Sequence, residues 1–331
     1  MTGYAHLPDV DLEAAAVVFD PPGDGEGHWV GAPCVRRHDG ATYLAVRWRS
    51  PDRRGYAVEV YERTADVTPG RPSPEAGDRM PRDAFDRRVR LTAEGLGVVS
   101  VERPALVTDP RSGGLRLYLP VEHGENDWTI QRLDGVSDPA EFDPGSARDV
   151  LVPEPGSTDA ETVKDPVVRT LGGRYYLFYA GHDGTSEQAH LATSADGERW
   201  SRVADGPVLG RDGWHDHHTR VSCVVPAPDA PVWIVFYDGS GTDDYGATWN
   251  LRTGVAVASD LADPVDTTPD APALASPAAD AATGLDGFGT CRYLDILDHG
   301  DAWELFAEVA RGDGAFDLRR AVVPRSPFPR D

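Results

Sequence analysis

Apolar residues in this chain come in short β-branched and aromatic runs, separated by Gly, Pro, Asp and Asn, which predicts strands joined by tight turns. Residues 164–203 show the pattern most clearly. Asp165-Pro166 opens a β-branched stretch that ends at Gly172-Gly173, and Tyr175-Tyr176-Leu177-Phe178-Tyr179 follows. After a polar loop comes His190-Leu191-Ala192-Thr193-Ser194, then the turn Ala195-Asp196-Gly197 and Trp200. This predicts three strands in hairpin order, with Pro207-Val208-Leu209 able to add a fourth.

The same order recurs. GAPCVRRHDGATYLAVRW with YAVEVYER, ERPALVTDPRSGGLRLYLPVEHG with WTIQRLDG, TRVSCVVPAPDAPVWIVFYDGSG with RTGVAVASDL, and CRYLDILDHGDAWELFAEVARGDG with FDLRRAVV give four further units. Aligning Pro33, Pro104, Pro166, Val221 and Tyr293 gives steps of 71, 62, 55 and 72 residues. Five four-stranded sheets of this size predict an all-β, five-bladed β-propeller, because a twisted sheet with two apolar faces needs a neighbour on each. A two-sheet sandwich with a small extra domain is the rival, and it leaves five matching openings unexplained. The blades fall near 29–62, 99–150, 162–209, 217–260 and 288–325, in one domain over residues 1–331. Segments 63–98 and 262–286, rich in Pro, Ala, Asp and Gly, are expected to be insertions, and a strand near 14–19 (AAAVVF) to complete the last blade.

Composition narrows the partners. The 55 acidic against 32 basic residues give a net charge of −23, which disfavours nucleic acid and anionic membranes. No apolar stretch approaches a membrane span, and the N-terminus lacks a basic, then apolar, leader pattern, so a soluble cytoplasmic protein is expected. Cys34, Cys223 and Cys291 form no metal or disulfide framework. Lys164 is the single lysine, so 31 of the 32 basic residues are arginine. Such a composition fits a halophilic-type acidic surface or GC-rich codon bias, and it describes solvent more than substrate.

The Asp-Pro opening, the Gly-x-Tyr-Tyr-Leu-Phe-Tyr run and the Ser-x-Asp-Gly-x-x-Trp ending resemble the five-bladed propeller glycosidases. These comprise the arabinanases and xylosidases of family 43, family 62, the invertases and levansucrases of families 32 and 68, and the related mannoside-phosphorylase propellers. The close match spans 164–203, with weaker echoes in all five units. It implies a saccharide ligand in a central funnel and catalysis by carboxyl groups. Glycoside cleavage needs two of them, a proton donor for the leaving oxygen and a base or nucleophile.

Innermost strands of a propeller begin around one funnel, and a residue before proline is expected to be extended and to project into it. This singles out Asp165 and Glu102 as catalytic carboxylates, with Arg103, Lys164, His217, His218, Arg220 and Arg292 as substrate-binding groups. Asp165 matches the family's Asp-Pro position. The resemblance also implies an Asp before the first-blade proline. Here that residue is Ala32, unless Glu26 or Asp24 substitutes. Three guanidiniums and a lysine suggest an anionic sugar, since they match carboxylate or phosphate oxygens. Trp29, Trp128 and Trp249 could stack on sugar rings or fill blade cores.

A divalent metal held by His123, His182, Asp216 and His217 stays open as an alternative; otherwise no cofactor is expected. The functional expectation is a glycoside hydrolase-like enzyme for a small, acidic saccharide. The alternatives are a non-catalytic sugar-binding propeller and a phosphorylase using inorganic phosphate.

Overall fold

The computed structural model describes residues 10–64, 84–228, 230–245, 250–278 and 289–325. Strand β1 (Ala16–Phe19) precedes the first blade, which is β2 (Trp29–His38), β3 (Ala41–Ser50), β4 (Arg54–Arg63) and β5 (Phe85–Thr92). In the second blade β6 (Ser100–Val101) and β7 (Ala105–Thr108) form a broken inner strand beside β8 (Leu115–Gly124), β9 (Asp127–Val136) and β10 (Arg148–Leu151). The third holds β11 (Thr162–Leu171), β12 (Arg174–His182), β13 (Glu187–Ser194) and β14 (Ser201–Arg202). The fourth holds β15 (His218–Pro226), β16 (Trp233–Ser240), β17 (Arg252–Ala258) and β18 (Val265–Asp266). The fifth is β19 (Cys291–Asp298), β20 (Ala302–Ala310) and β21 (Phe316–Pro324), with β1 antiparallel on β21 as its outer strand.

Each blade is an antiparallel meander, and the inner strands β2, β7, β11, β15 and β19 contact one another in cyclic order, β19 returning to β2. The chain is a five-bladed β-propeller. Its apolar clusters lie between consecutive blades, as sheets with two apolar faces require. Val60 meets Leu119 between blades one and two, and Tyr118 meets Leu177 between two and three. Phe178 joins Val235 between three and four, Phe236 joins Trp303 between four and five, and Phe306 joins Leu44 between five and one. A parallel bridge from Trp29 to Phe316, with their rings stacked at 4.7 Å, links the last blade to the first.

Two expected boundaries are corrected. The 63–98 segment is more than an insertion, because it contains β5, the outer strand of blade one. In FDRRVRLT the apolar side chains are few, and Arg87 and Arg90 pair with Glu59 while Arg88 pairs with Asp138. An outermost strand covered on one side has the composition of a loop. Likewise 262–286 contains β18 and the Thr253–Leu274 bridge; residues 65–83 and 279–288 lie outside the described set.

The inner strands also depart from the extended geometry expected before proline. In β2, β11 and β19 the register slips at Gly31/Cys34, Lys164/Val167 and Arg292/Asp295. Within these bulges Ala32, Asp165 and Tyr293 take left-handed φ angles of 50°, 53° and 56°. A bulge re-aims a side chain, and non-glycine residues at positive φ concentrate at functional sites. The bulges further correct the alignment by one residue. Tyr293 is level with Asp165 and Ala32, and Arg292 with Lys164 and Gly31.

One carboxylate ties the ring across its axis. Asp295 Oδ2 accepts from the Val35 amide at 2.8 Å and from Arg36 at 3.2 Å, while Oδ1 accepts from Arg169 at 3.0 Å and Cys223 Sγ at 3.3 Å. Arg36 reaches on to the Leu106 carbonyl at 3.0 Å and Arg169 to the Val224 carbonyl at 2.9 Å. All five inner strands meet here, roughly 10 Å further along them than the bulges at ordinary strand rise.

Candidate functional site

Above that crossing the inner strands open onto a cavity of about 440 Å³. Its wall brings together Glu102, Lys164, Asp165, Arg220 and Arg292 from blades two, three, four and five. Glu26, Trp29, Arg49, Arg54, Trp128 and Tyr293 complete the polar and aromatic lining.

The carboxylates are held by specific cations. Asp165, almost wholly buried, accepts from Arg220 Nη1 at 2.8 Å and from the Tyr293 hydroxyl at 3.3 Å. Arg220 also bonds Asp238 through Nε at 3.2 Å, and its guanidinium lies 4.2 Å from the Tyr293 ring. Both Asp238 oxygens accept the Tyr293 amide, which clamps the bulge. Burial alone would raise the Glu102 carboxyl, but Arg47, Arg49, Lys164 and Arg292 overcome this and hold it at about 2. Arg47 Nε and Arg49 Nη1 each sit 3.0 Å from it. Glu102 is therefore an anion at neutral pH. Burial raises the Tyr293 phenol, with Asp165 adding to the effect, so it stays a neutral donor.

A second tier supports the first. Arg292 bonds Glu308 through Nε at 2.8 Å and Nη2 at 2.6 Å, and Arg47 reaches the same carboxylate at 2.9 Å. Gly31 makes room for it, because a Cβ there would come within 2.5 Å of Glu308 Cβ. Lys164 pairs with buried Glu187. Trp29 stacks on Phe316 and carries the guanidiniums of Arg49 and Arg292 at 4.5 and 4.9 Å, so its ring is a platform for arginines. Trp128 lies within 6 Å of Arg54 and Lys164. Trp249 is outside the described residues.

Three of the residues singled out from sequence stand elsewhere. Arg103 is buried behind the wall and donates to the carbonyls of Val221, at 3.4 Å, and Ser222, bracing blade two against blade four. His218 is buried with Nδ1 accepting the Glu187 amide at 2.8 Å, and His217 stands beside it with ring centres 4.2 Å apart. Neither histidine lines the main cavity. The alternative metal set is not assembled. His123 bonds Thr129 and Asp216 bonds Thr242, and among the described residues no group of three or more His, Cys, Asp or Glu could hold a metal ion. Of the two proposed substitutes for the missing first-blade Asp, Glu26 lines the cavity, while Asp24 faces Arg311 at 3.5 Å.

Burial pushes the His218 pKa down to about 4, with Glu187 opposing and His217, Arg220 and Lys164 reinforcing it. An unfolded histidine titrates near 6.5, so below that pH the unfolded chain binds a proton that the native state refuses. Stability present above pH 6.5 is lost as pH falls towards 4, by on the order of 3 kcal/mol from this group. Chemical denaturation at pH 7, 5.5 and 4.5 will show this slope, and His218→Asn will flatten it. An unchanged slope in the variant assigns the effect to other groups.

Arg49, Arg54 and Tyr293 were not singled out from sequence. A usable signal existed for their supports. Asp238 and Glu308 lie directly across from Arg220 and Arg292 in the ladders, as acids inside largely apolar second strands. For Arg49, alternation in AVRWRS places Arg47 and Arg49 on one face.

No family model and no curated protein matches the chain. Solved structures do share its fold. A thermostable family-43 glycoside hydrolase is 14% identical with a TM-score of 0.62, covering 95% of this chain and 98% of that one. An α-L-arabinofuranosidase from Lactobacillus brevis is 14% identical at TM-score 0.61, over 91% and 96%. A member of the GH130 family of mannoside phosphorylases, which contains hydrolases of β-1,2 mannosidic linkages, is 14% identical at TM-score 0.61, over 98% and 96%.

Proposed function

We propose that the protein is a glycoside hydrolase-like enzyme whose central cavity takes a small acidic saccharide. The observation that carries this reading is the set of cations lining the cavity, whose partner carboxylates Glu122, Asp238 and Glu308 stand behind the wall. In a chain of net charge −23, its wall presents Arg49, Arg54, Lys164, Arg220 and Arg292 against Glu26, Glu102 and Asp165. Arg220 Nη2 and Arg49 Nε are buried without a hydrogen-bond partner among the described residues. Both guanidiniums line the cavity, where their forks match a ligand carboxylate or phosphate.

In this reading Glu102, ionised by its arginines, and Asp165, anchored by Arg220 and Tyr293, face the sugar as the anionic pair. Glu102 is not suited to give up a proton. Glu26, exposed at the cavity wall with no cationic partner among the described residues, is the remaining carboxyl that can approach the leaving oxygen as the acid. Ala32, level with Asp165 in the fold, favours phosphorolysis as a second reading, with inorganic phosphate replacing the absent carboxylate. Turnover that requires phosphate would select it.

Glucuronate, galacturonate and glucose 6-phosphate, with glucose and galactose as neutral controls, test the charge reading by calorimetry. The acids are expected to bind, the neutral sugars at least 10-fold more weakly, and Arg49→Met to weaken the acids at least 10-fold. Equal binding of neutral and acidic sugars would sink it. The two kinds of acid separate carboxylate from phosphate recognition.

A further inference from the structure

Beside the cationic cavity lies a second hollow of about 420 Å³. The two share Arg54, Trp128 and Lys164, so they are neighbours across one partition. The remaining walls of the second come from Asn126, Glu161, Thr162, His182, Gly184 and Glu187, around the β8–β9 and β12–β13 turns and the start of β11.

The lobes differ in charge. The first has a surplus of guanidiniums. In the second, Arg54 and Lys164 are matched by Glu161 and Glu187, and Lys164 Nζ is already paired with Glu187. Asn126 and Thr162 add neutral amide and hydroxyl groups, which exchange hydrogen bonds with hydroxyls in either direction. The shared wall is Arg54, Lys164 and the nearly buried Trp128, with Lys164 Nζ 5.8 Å from the centre of the indole.

We propose that the second hollow holds a neutral sugar residue linked to the acidic one, so that the ligand is a two-residue unit spanning Trp128. The acidic residue occupies the cationic lobe and the hydroxyl-rich residue the balanced lobe. This rests on the acidic-saccharide reading and adds the size and polarity of the ligand.

The test compares glucuronate with a thio-linked glucuronosyl-xylose disaccharide, which resists cleavage, by calorimetry on the full chain. The wild type is expected to bind the disaccharide at least 10-fold more tightly than glucuronate. Glu161→Trp, at an exposed rim position, should bring the disaccharide within 2-fold of glucuronate while leaving glucuronate itself within 2-fold of wild type. Thr162→Leu, deeper in the same lobe, should act in the same direction. Bound glucuronate with no gain for the disaccharide overturns the two-lobe assignment alone, as does a gain that both variants leave intact. Equal weakening of both ligands by the variants also overturns it. A wild type that binds neither glucuronate nor the disaccharide overturns the acidic-saccharide reading together with this one.

Discussion

Replacing Asp295 with alanine is expected to lower the melting temperature by about 10 °C, the largest effect foreseen for a single side chain outside the cavity. The carboxylate neutralises Arg36 and Arg169 and accepts from Val35 and Cys223, so its removal leaves two largely buried guanidiniums without a counter-ion. Breaking a buried pair by deleting one partner costs about 3–5 kcal/mol. Asp295→Asn keeps acceptor capacity without the charge and should fall about midway. Calorimetric melts of the three proteins check this. A shift under 2 °C for the alanine variant would mean that the inter-blade apolar clusters hold the ring unaided.

Asp165→Asn and Glu102→Gln are each expected to reduce glycoside turnover by about 10²–10⁴-fold, the range associated with loss of a positioned acid–base group. Both substitutions preserve side-chain volume; Arg220 retains Asp238 as a counter-ion, so Asp165→Asn should change the melting temperature little, whereas Glu102→Gln removes the carboxylate paired with Arg47 and Arg49 and should lower it. Glu26→Gln supplies the contrast. An aryl glycuronide with a nitrophenolate leaving group needs no protonation, whereas an alkyl glycuronide does. The Glu26 variant should therefore lose activity on the alkyl substrate and largely keep it on the aryl one. Release rates for the two substrates, measured for all four proteins, decide between these roles. Normal turnover in both carboxylate variants would remove Asp165 and Glu102 from the chemistry.

Much of the architecture was legible because blades repeat. A strand buried on both faces must be apolar, so YYLFY and WIVFY declare themselves, and the five inter-blade clusters follow from the spacing of such runs. The outer strand β5 was not legible, since its arginines pair with Glu59 of β4 and with Asp138 and dilute the apolar signal. Within the cavity, Glu102, Lys164, Asp165, Arg220 and Arg292 could be collected from strand openings alone. Tyr293 could not. Proline marks the bulges at Ala32 and Asp165, but blade five has Leu294 at that place, and without the marker the register appears shifted by one. Arg103 misled for the opposite reason. It follows the opening rule in sequence, yet β6 and β7 are broken apart around it, and its guanidinium turns to the carbonyls of blade four.

The crossing at Asp295 also dictates traffic. With Arg36, Arg169 and Cys223 converging on one carboxylate, the axis is bridged below the cavity, so a ligand that enters from the mouth is expected to leave by it. On the proposed function, a chain would insert a tip rather than thread, and a released fragment and the next arrival would compete for one doorway.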